Sequence, residues 1–175
     1  DPANVEKFKE FKLPSGEKAG NTQVTLADVP AERQATALET IQNAQKYIMA
    51  PTFVITKPIA AALAAKNDEM KAAGNTDFEI RMVADSGVYP DGSTPNKTGI
   101  LMLEDHGIRP RWTLLPRSGS HDRKIHAKDI LTDQSEWFGS TNLSGKGMKD
   151  NWEHSGVVKF DEKDPASIAL RTEAE

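Results

Sequence analysis

No cysteine occurs among the 175 residues. Disulfide frameworks, thiolate nucleophiles and Cys-ligated zinc are thereby excluded, and either redox environment is tolerated. Aromatic residues are few, at 6%, so the sequence shows no run of stacking rings of the kind that single-strand binders carry. No apolar stretch approaches the roughly 20 residues of a membrane span. The longest, from Pro58 to Ala65, is short and alanine-rich and reads as a buried helix. A positive net charge is also missing. At −4 the chain has no global field to gather nucleic acid or acidic membrane, although a local basic patch would suffice. The chain begins Asp1-Pro2 without Met and stops at Glu175 in a helical-looking stretch. We expect a piece of a longer chain with any targeting signal already removed, and an extracytoplasmic setting.

What is present suits one domain. Apolar residues make up 37% and charged residues 27%, which is ordinary for a globular chain with a sizeable core. Residues 1–20 are polar around a Pro14-Ser15-Gly16 turn and read as a peripheral arm, leaving 21–175 as the domain. Val24 and Leu26 alternate as in a short strand. Asp28 is placed to cap a helix with Pro30 in its first turn. Leu38, Ile41, Ala44 and Ile48 share one helical face. Tyr47 to Ile55 is a nearly continuous apolar run, as in a buried strand. Thr56 and Pro58 open a second helix that Gly74 stops. Phe78, Ile80 and Met82 alternate toward Asp85, and a turn-rich loop from Ser86 to Asn96 could form a rim or lid. Ile100 to Leu103 mark a third helix closed by His106-Gly107, and Ile108 to Leu115 returns to strand. This β-α-β order predicts an α/β fold, with a mixed, largely parallel sheet flanked by helices on both faces.

The chemistry lies after residue 116. Ile125 to Leu131 reads as a strand buried on both faces, with His126 and Lys128 pointing the same way. An imidazole beside an ammonium makes a site for an anion, and the cation favours the neutral, nucleophilic ring. Gly139 admits close backbone approach. Ser140 and Asn142 share a face and can donate to phosphate oxygens. Glu153 could hold the ring nitrogen opposite the attacking one. The parity of Asp133 turns it away from His126, which favours a turn-fixing role.

The pattern His126-x-Lys128-x4-Asp133, Gly139-Ser140-x-Asn142 and Asn151-x-Glu153 resembles the signature of the phospholipase D superfamily. The motif similarity covers about residues 121 to 158, and the spacing from Asp133 to Gly139 is one residue shorter than is common. The resemblance implies metal-free phosphodiester chemistry through a phosphohistidine. On it, His126 is the nucleophile, Lys128, Ser140 and Asn142 hold the phosphate, and Glu153 orients the histidine. It implies a phospholipid substrate first, and a DNA or RNA strand as the alternative. A third reading is a supporting half of a two-motif chain. Only one motif copy is present, because His106, His121 and His154 are followed two places on by Ile108, Arg123 and Gly156. Attack and leaving-group protonation need two histidines. The second must come from a homodimer partner or a further repeat. His121, His154 and Asp85 read as peripheral or structural. The cations Arg109, Arg111, Arg117, Arg123 and Lys124 read as a solvated rim or an electrostatic entrance. Trp112, Trp137 and Trp152 read as core, and parity places Trp152 away from the site.

Overall fold

The computed structural model describes residues 20–85, 96–113, 117–118, 121–122 and 125–175. The arm at 1–19, most of the Ser86–Asn96 loop, and Arg123 with Lys124 lie outside the described residues. The elements run β1 (Gln23–Leu26), α1 (Pro30–Asn43), β2 (Tyr47–Thr52), α2 (Lys57–Ala72), β3 (Glu79–Asp85), α3 (Asn96–Asp105) and β4 (Arg111–Thr113). A two-residue pair, β5 (Arg117–Ser118) and β6 (His121–Asp122), precedes β7 (Ile130–Thr132) and β8 (Ser135–Gly139). The short helix α4 (Gly145–Lys149), β9 (Ser155–Lys159) and α5 (Pro165–Ala174) complete the chain.

Seven strands form one sheet in the order β1-β9-β8-β7-β2-β3-β4. The fold is α/β with a mixed sheet, but the expectation of a largely parallel one is corrected. Only β2–β3 and β3–β4 are parallel; the other four pairings are antiparallel. The parallel pairs lie where the sequence alternates strand with helix, each crossover being a helix. Beyond β4 that alternation ends. Only Asp133 and Gln134 separate β7 from β8, and so short a link can join only antiparallel strands.

One face of the sheet carries the core. Ile48 and Ala50 of β2 and Met82 and Ala84 of β3 pack with Ala37 and Ile41 of α1, Ile59 and Leu63 of α2, Ile100 and Leu103 of α3, and Met148 of α4. Trp137 is buried at its centre, as expected, and Trp112 packs against its margin. Tyr47 has the opposite strand parity to Ile48, and its hydroxyl donates to Glu175 just beyond α5. The last helix therefore covers part of the other face.

Two caps differ from expectation. Val29, not Asp28, is the residue before α1, and no side chain caps that end. Pro30 at the first position has no N–H to satisfy, and the Asp28 carboxylate lies 3.2 Å from His154 Nδ1 instead. The Thr56 side chain precedes α2 without capping it. Its hydroxyl accepts from Gly145 N–H at 3.0 Å, which ties the start of α2 to α4.

Candidate active site

The segment 125–129 is held at both ends. Ile125 N–H donates to the buried Asp85 carboxylate at 2.8 Å, a structural role for the residue that ends β3. Phe53 N–H donates to the Ala127 carbonyl at 3.2 Å, and Thr52 forms a single antiparallel bridge with Lys128. The expected strand from Ile125 to Leu131, buried on both faces, is corrected. Regular strand covers only Ile130–Thr132, and His126 is exposed. The cause lies in β2, which ends at Thr52 and leaves residues 125–127 almost no ladder to join. Asn96, fully buried, accepts from Ile55 N–H at 2.8 Å and donates to the Phe53 carbonyl at 3.0 Å. It thereby fixes Phe53, whose ring lies 5.1 Å from the His126 ring at an angle of 50°.

Lys128 is only 5% exposed. Its Nζ lies 2.8 Å from His126 Nδ1 and also donates to the His126 carbonyl. It stands 5.9 Å from the centroid of Phe53. Burial pulls this ammonium below its ordinary pKa, and the negative charges of Glu153 and Asp129 oppose the pull without cancelling it. An ammonium that donates to Nδ1 leaves the ring proton on Nε2. A buried ammonium thus backs an exposed imidazole, an arrangement suited to an oxyanion.

The second half comes from the β8–β9 connection. Gly139 ends β8 at φ +146°, and a Cβ there would stand 2.2 Å from the His154 carbonyl oxygen. Only glycine admits this approach, which brings the two strand ends together: Ser140 N–H donates to that same carbonyl at 2.9 Å. Ser140 Oγ donates to Glu153 Oε2 at 2.5 Å, and Asn151 Nδ2 donates to Oε1 at 3.1 Å. The hydrogen bonds of the Glu153 carboxylate therefore go to Ser140 and Asn151, and the ring nitrogen of His126 is met by Lys128. Asn142 Oδ1 is buried and has no hydrogen-bond partner among the described residues. A half-turn about χ2 would put its NH2 group there, a donor for an anion.

Asp133 stands apart from this cluster. At 1% exposure it accepts from Gln45 N–H at 2.9 Å, Lys46 N–H at 3.0 Å and Gln134 Nε2 at 2.9 Å. Burial alone would raise its carboxyl; the hydrogen bonds from Gln134, Lys46 and Gln45 outweigh that and hold it below the usual carboxylate range. It pins the entry to β2.

Arg33 went unread in the sequence. It is 1% exposed, and its guanidinium donates to three carbonyls, those of Asp28 at 2.7 Å, Asn151 at 2.9 Å and Glu153 at 3.0 Å. It clamps the loop that carries Glu153. The signal was its place four and eight residues before Ala37 and Ile41, on the buried stripe of α1. Trp152 corrects the core expectation outright: it is fully exposed. Strand parity fails there because residues 151–154 are not in a strand. Among the described residues no group of three or more acidic or histidine side chains is placed to hold a metal ion.

No protein-family model and no curated protein matches the sequence. Solved structures do. The phospholipase D family member Nuc from Salmonella typhimurium aligns over 87% of this chain and 90% of its own, at 22% identity and a TM-score of 0.59. NucT from Helicobacter pylori aligns over 87% and 95%, at 15% identity and a TM-score of 0.60. Phosphatidylserine synthase from Haemophilus influenzae aligns over 78% of this chain but 33% of its own, at 13% identity and a TM-score of 0.60. The architecture of this chain is the phospholipase D superfamily fold.

Proposed function

We propose that the chain is a phosphodiester hydrolase or phosphatidyl-transferase acting through a phosphohistidine on His126. The observation that carries this reading is the Lys128 ammonium lying 2.8 Å from the ring of an exposed histidine, within reach of the charge of Glu153. A phosphate arriving at this surface competes for the Lys128 ammonium and frees Nδ1. With the ring proton moved to Nδ1, the Nε2 lone pair attacks phosphorus. A P–N bond forms as the bond to the leaving oxygen breaks, and that oxygen takes a proton from a second histidine. Water, or an alcohol in the transfer reaction, then attacks phosphorus and gives its proton to that second histidine. The P–N bond breaks and His126 is regenerated. The second histidine belongs to another motif copy, and a homodimer partner is the simplest source.

Two substrate classes suit this chemistry. Phospholipid rests on the net charge of −4, a property of the whole chain. A nucleic-acid strand has a local observation in its favour, the exposed indole of Trp152 next to Glu153.

The test is hydrolysis of single-stranded DNA and of short-chain phosphatidylcholine, each in EDTA. Activity should survive the chelator and vanish in His126→Asn with the fold intact. Full activity in that variant would place the nucleophile elsewhere, and complete loss in EDTA would sink the metal-free mechanism.

A further inference from the structure

Trp152 is an expensive residue to leave in water, and its surroundings show that it is held there. The carbonyls on both sides of it, Asn151 and Glu153, accept from the same buried guanidinium of Arg33, at 2.9 and 3.0 Å. The loop is pinned from below while the indole projects outward. Beside it runs a groove of about 420 Å³, lined by Asp28, Val29, Pro30, Arg33, Trp152 and His154. Clefts for small ligands occupy roughly 300–1,000 Å³. The next residue, Glu153, receives the Ser140 hydroxyl of the candidate phosphate site. An aromatic face on an anchored loop, one residue along the chain from Glu153, binds a flat group without first having to be ordered.

We propose that Trp152 is a stacking platform for a nucleobase flanking the scissile phosphodiester, so that the substrate is a single-stranded nucleic acid. This inference rests on the phosphodiesterase reading above. A base can lie on the indole only when it has left its duplex stack, which selects single strands. The Asp28–His154 pair, 3.2 Å apart, supplies a polar edge at the groove. A lipid surface fits this region less well. Of the other exposed large apolar side chains among the described residues, Val29 alone lines this groove with Trp152; Val24 and Leu26 do not extend it into a broad apolar plane. Thr25 lies toward α1 beside Thr36 and Thr40, so its strand neighbours point to the opposite face of the sheet.

Binding of the full chain to oligothymidylate, and to an abasic oligomer of equal length, tests the proposal without requiring turnover. Trp152→Ala should weaken oligothymidylate binding by about 5- to 100-fold, and Trp152→Phe should restore most of it. The abasic oligomer should not distinguish the three proteins. Quenching of indole fluorescence by the oligonucleotide should disappear in Trp152→Phe. Unchanged oligothymidylate affinity in Trp152→Ala overturns the proposal. So does a selective loss of binding to short-chain phosphatidylcholine micelles. Activity persisting in His126→Asn would instead overturn the phosphohistidine reading and leave the binding result standing.

Discussion

At the scale of the residue, Lys128 gives the sharpest pH prediction. A phosphate-binding ammonium acts only while protonated, so its contribution is present below its pKa and lost as pH rises through it. Burial lowers that pKa from 10.5. The alkaline limb of kcat/KM should therefore fall below the ordinary lysine range. Lys128→Arg should move the limb upward, because guanidinium stays charged, while lowering the plateau rate because its fork does not reproduce a point contact. A limb that stays in place in that variant would assign it to another group. Asp133 shows the opposite shift. Its stabilising contribution is complete above the ordinary carboxylate value and disappears as pH falls through its lowered folded value. Asp133→Ala should cost about 1–3 kcal/mol at neutral pH by leaving the buried amides of Gln45 and Lys46 unpaired. The gap between denaturant melts of the two proteins should begin to shrink as pH falls below about 4 and close only below the lowered folded value.

At the scale of the element, the 151–154 loop is tied to α1 through Arg33. Arg33→Met should keep the volume of the buried stripe but strip donors from three carbonyls. We expect a loss of about 2–4 kcal/mol in stability together with a fall in kcat, since Glu153 would lose its fixed position under Ser140. Thermal melts and steady-state kinetics on the same preparation separate the two effects. A variant that lost stability and kept kcat would show that the clamp serves the fold alone. The turn at Gly139 belongs to the same scale. Its φ of +146° and its contact with the His154 carbonyl oxygen make Gly139→Ala incompatible with the β8–β9 register that aligns Ser140 with that strand end. Circular dichroism and activity should fall together in this variant.

At the scale of the whole molecule, the proposed chemistry needs a second histidine, and a two-fold partner is one source of it. If a two-fold partner completes the site, specific activity should fall on dilution in step with a change in sedimentation mass from twice the chain mass to the single value. Mixing wild type with excess His126→Asn and allowing exchange should suppress activity beyond simple dilution. An active species that sediments as a single chain would show that one copy is sufficient.

Much of the local organisation is legible in the sequence alone. The three early helices, the Gly74 and Gly107 stops at positive φ, and the buried Trp137 follow from periodicity and punctuation, which are short-range properties. The closeness of His126 to Lys128 and the turn-fixing place of Asp133 were equally readable, because neighbours in sequence stay neighbours in space. The mostly antiparallel sheet was not, since strand direction beyond β4 depends on which distant strand each one meets. Nor was Arg33: its partners lie 118 and 120 residues away. The exposure of Trp152 followed only once the loop had been anchored from beneath. The motif spacing that resembles a half-site was written into the sequence by itself. Which side chain faces which, with Lys128 on the imidazole and Glu153 on Ser140, was decided by tertiary structure, because hydrogen-bond partners are chosen among groups that only the folded chain brings within 3 Å.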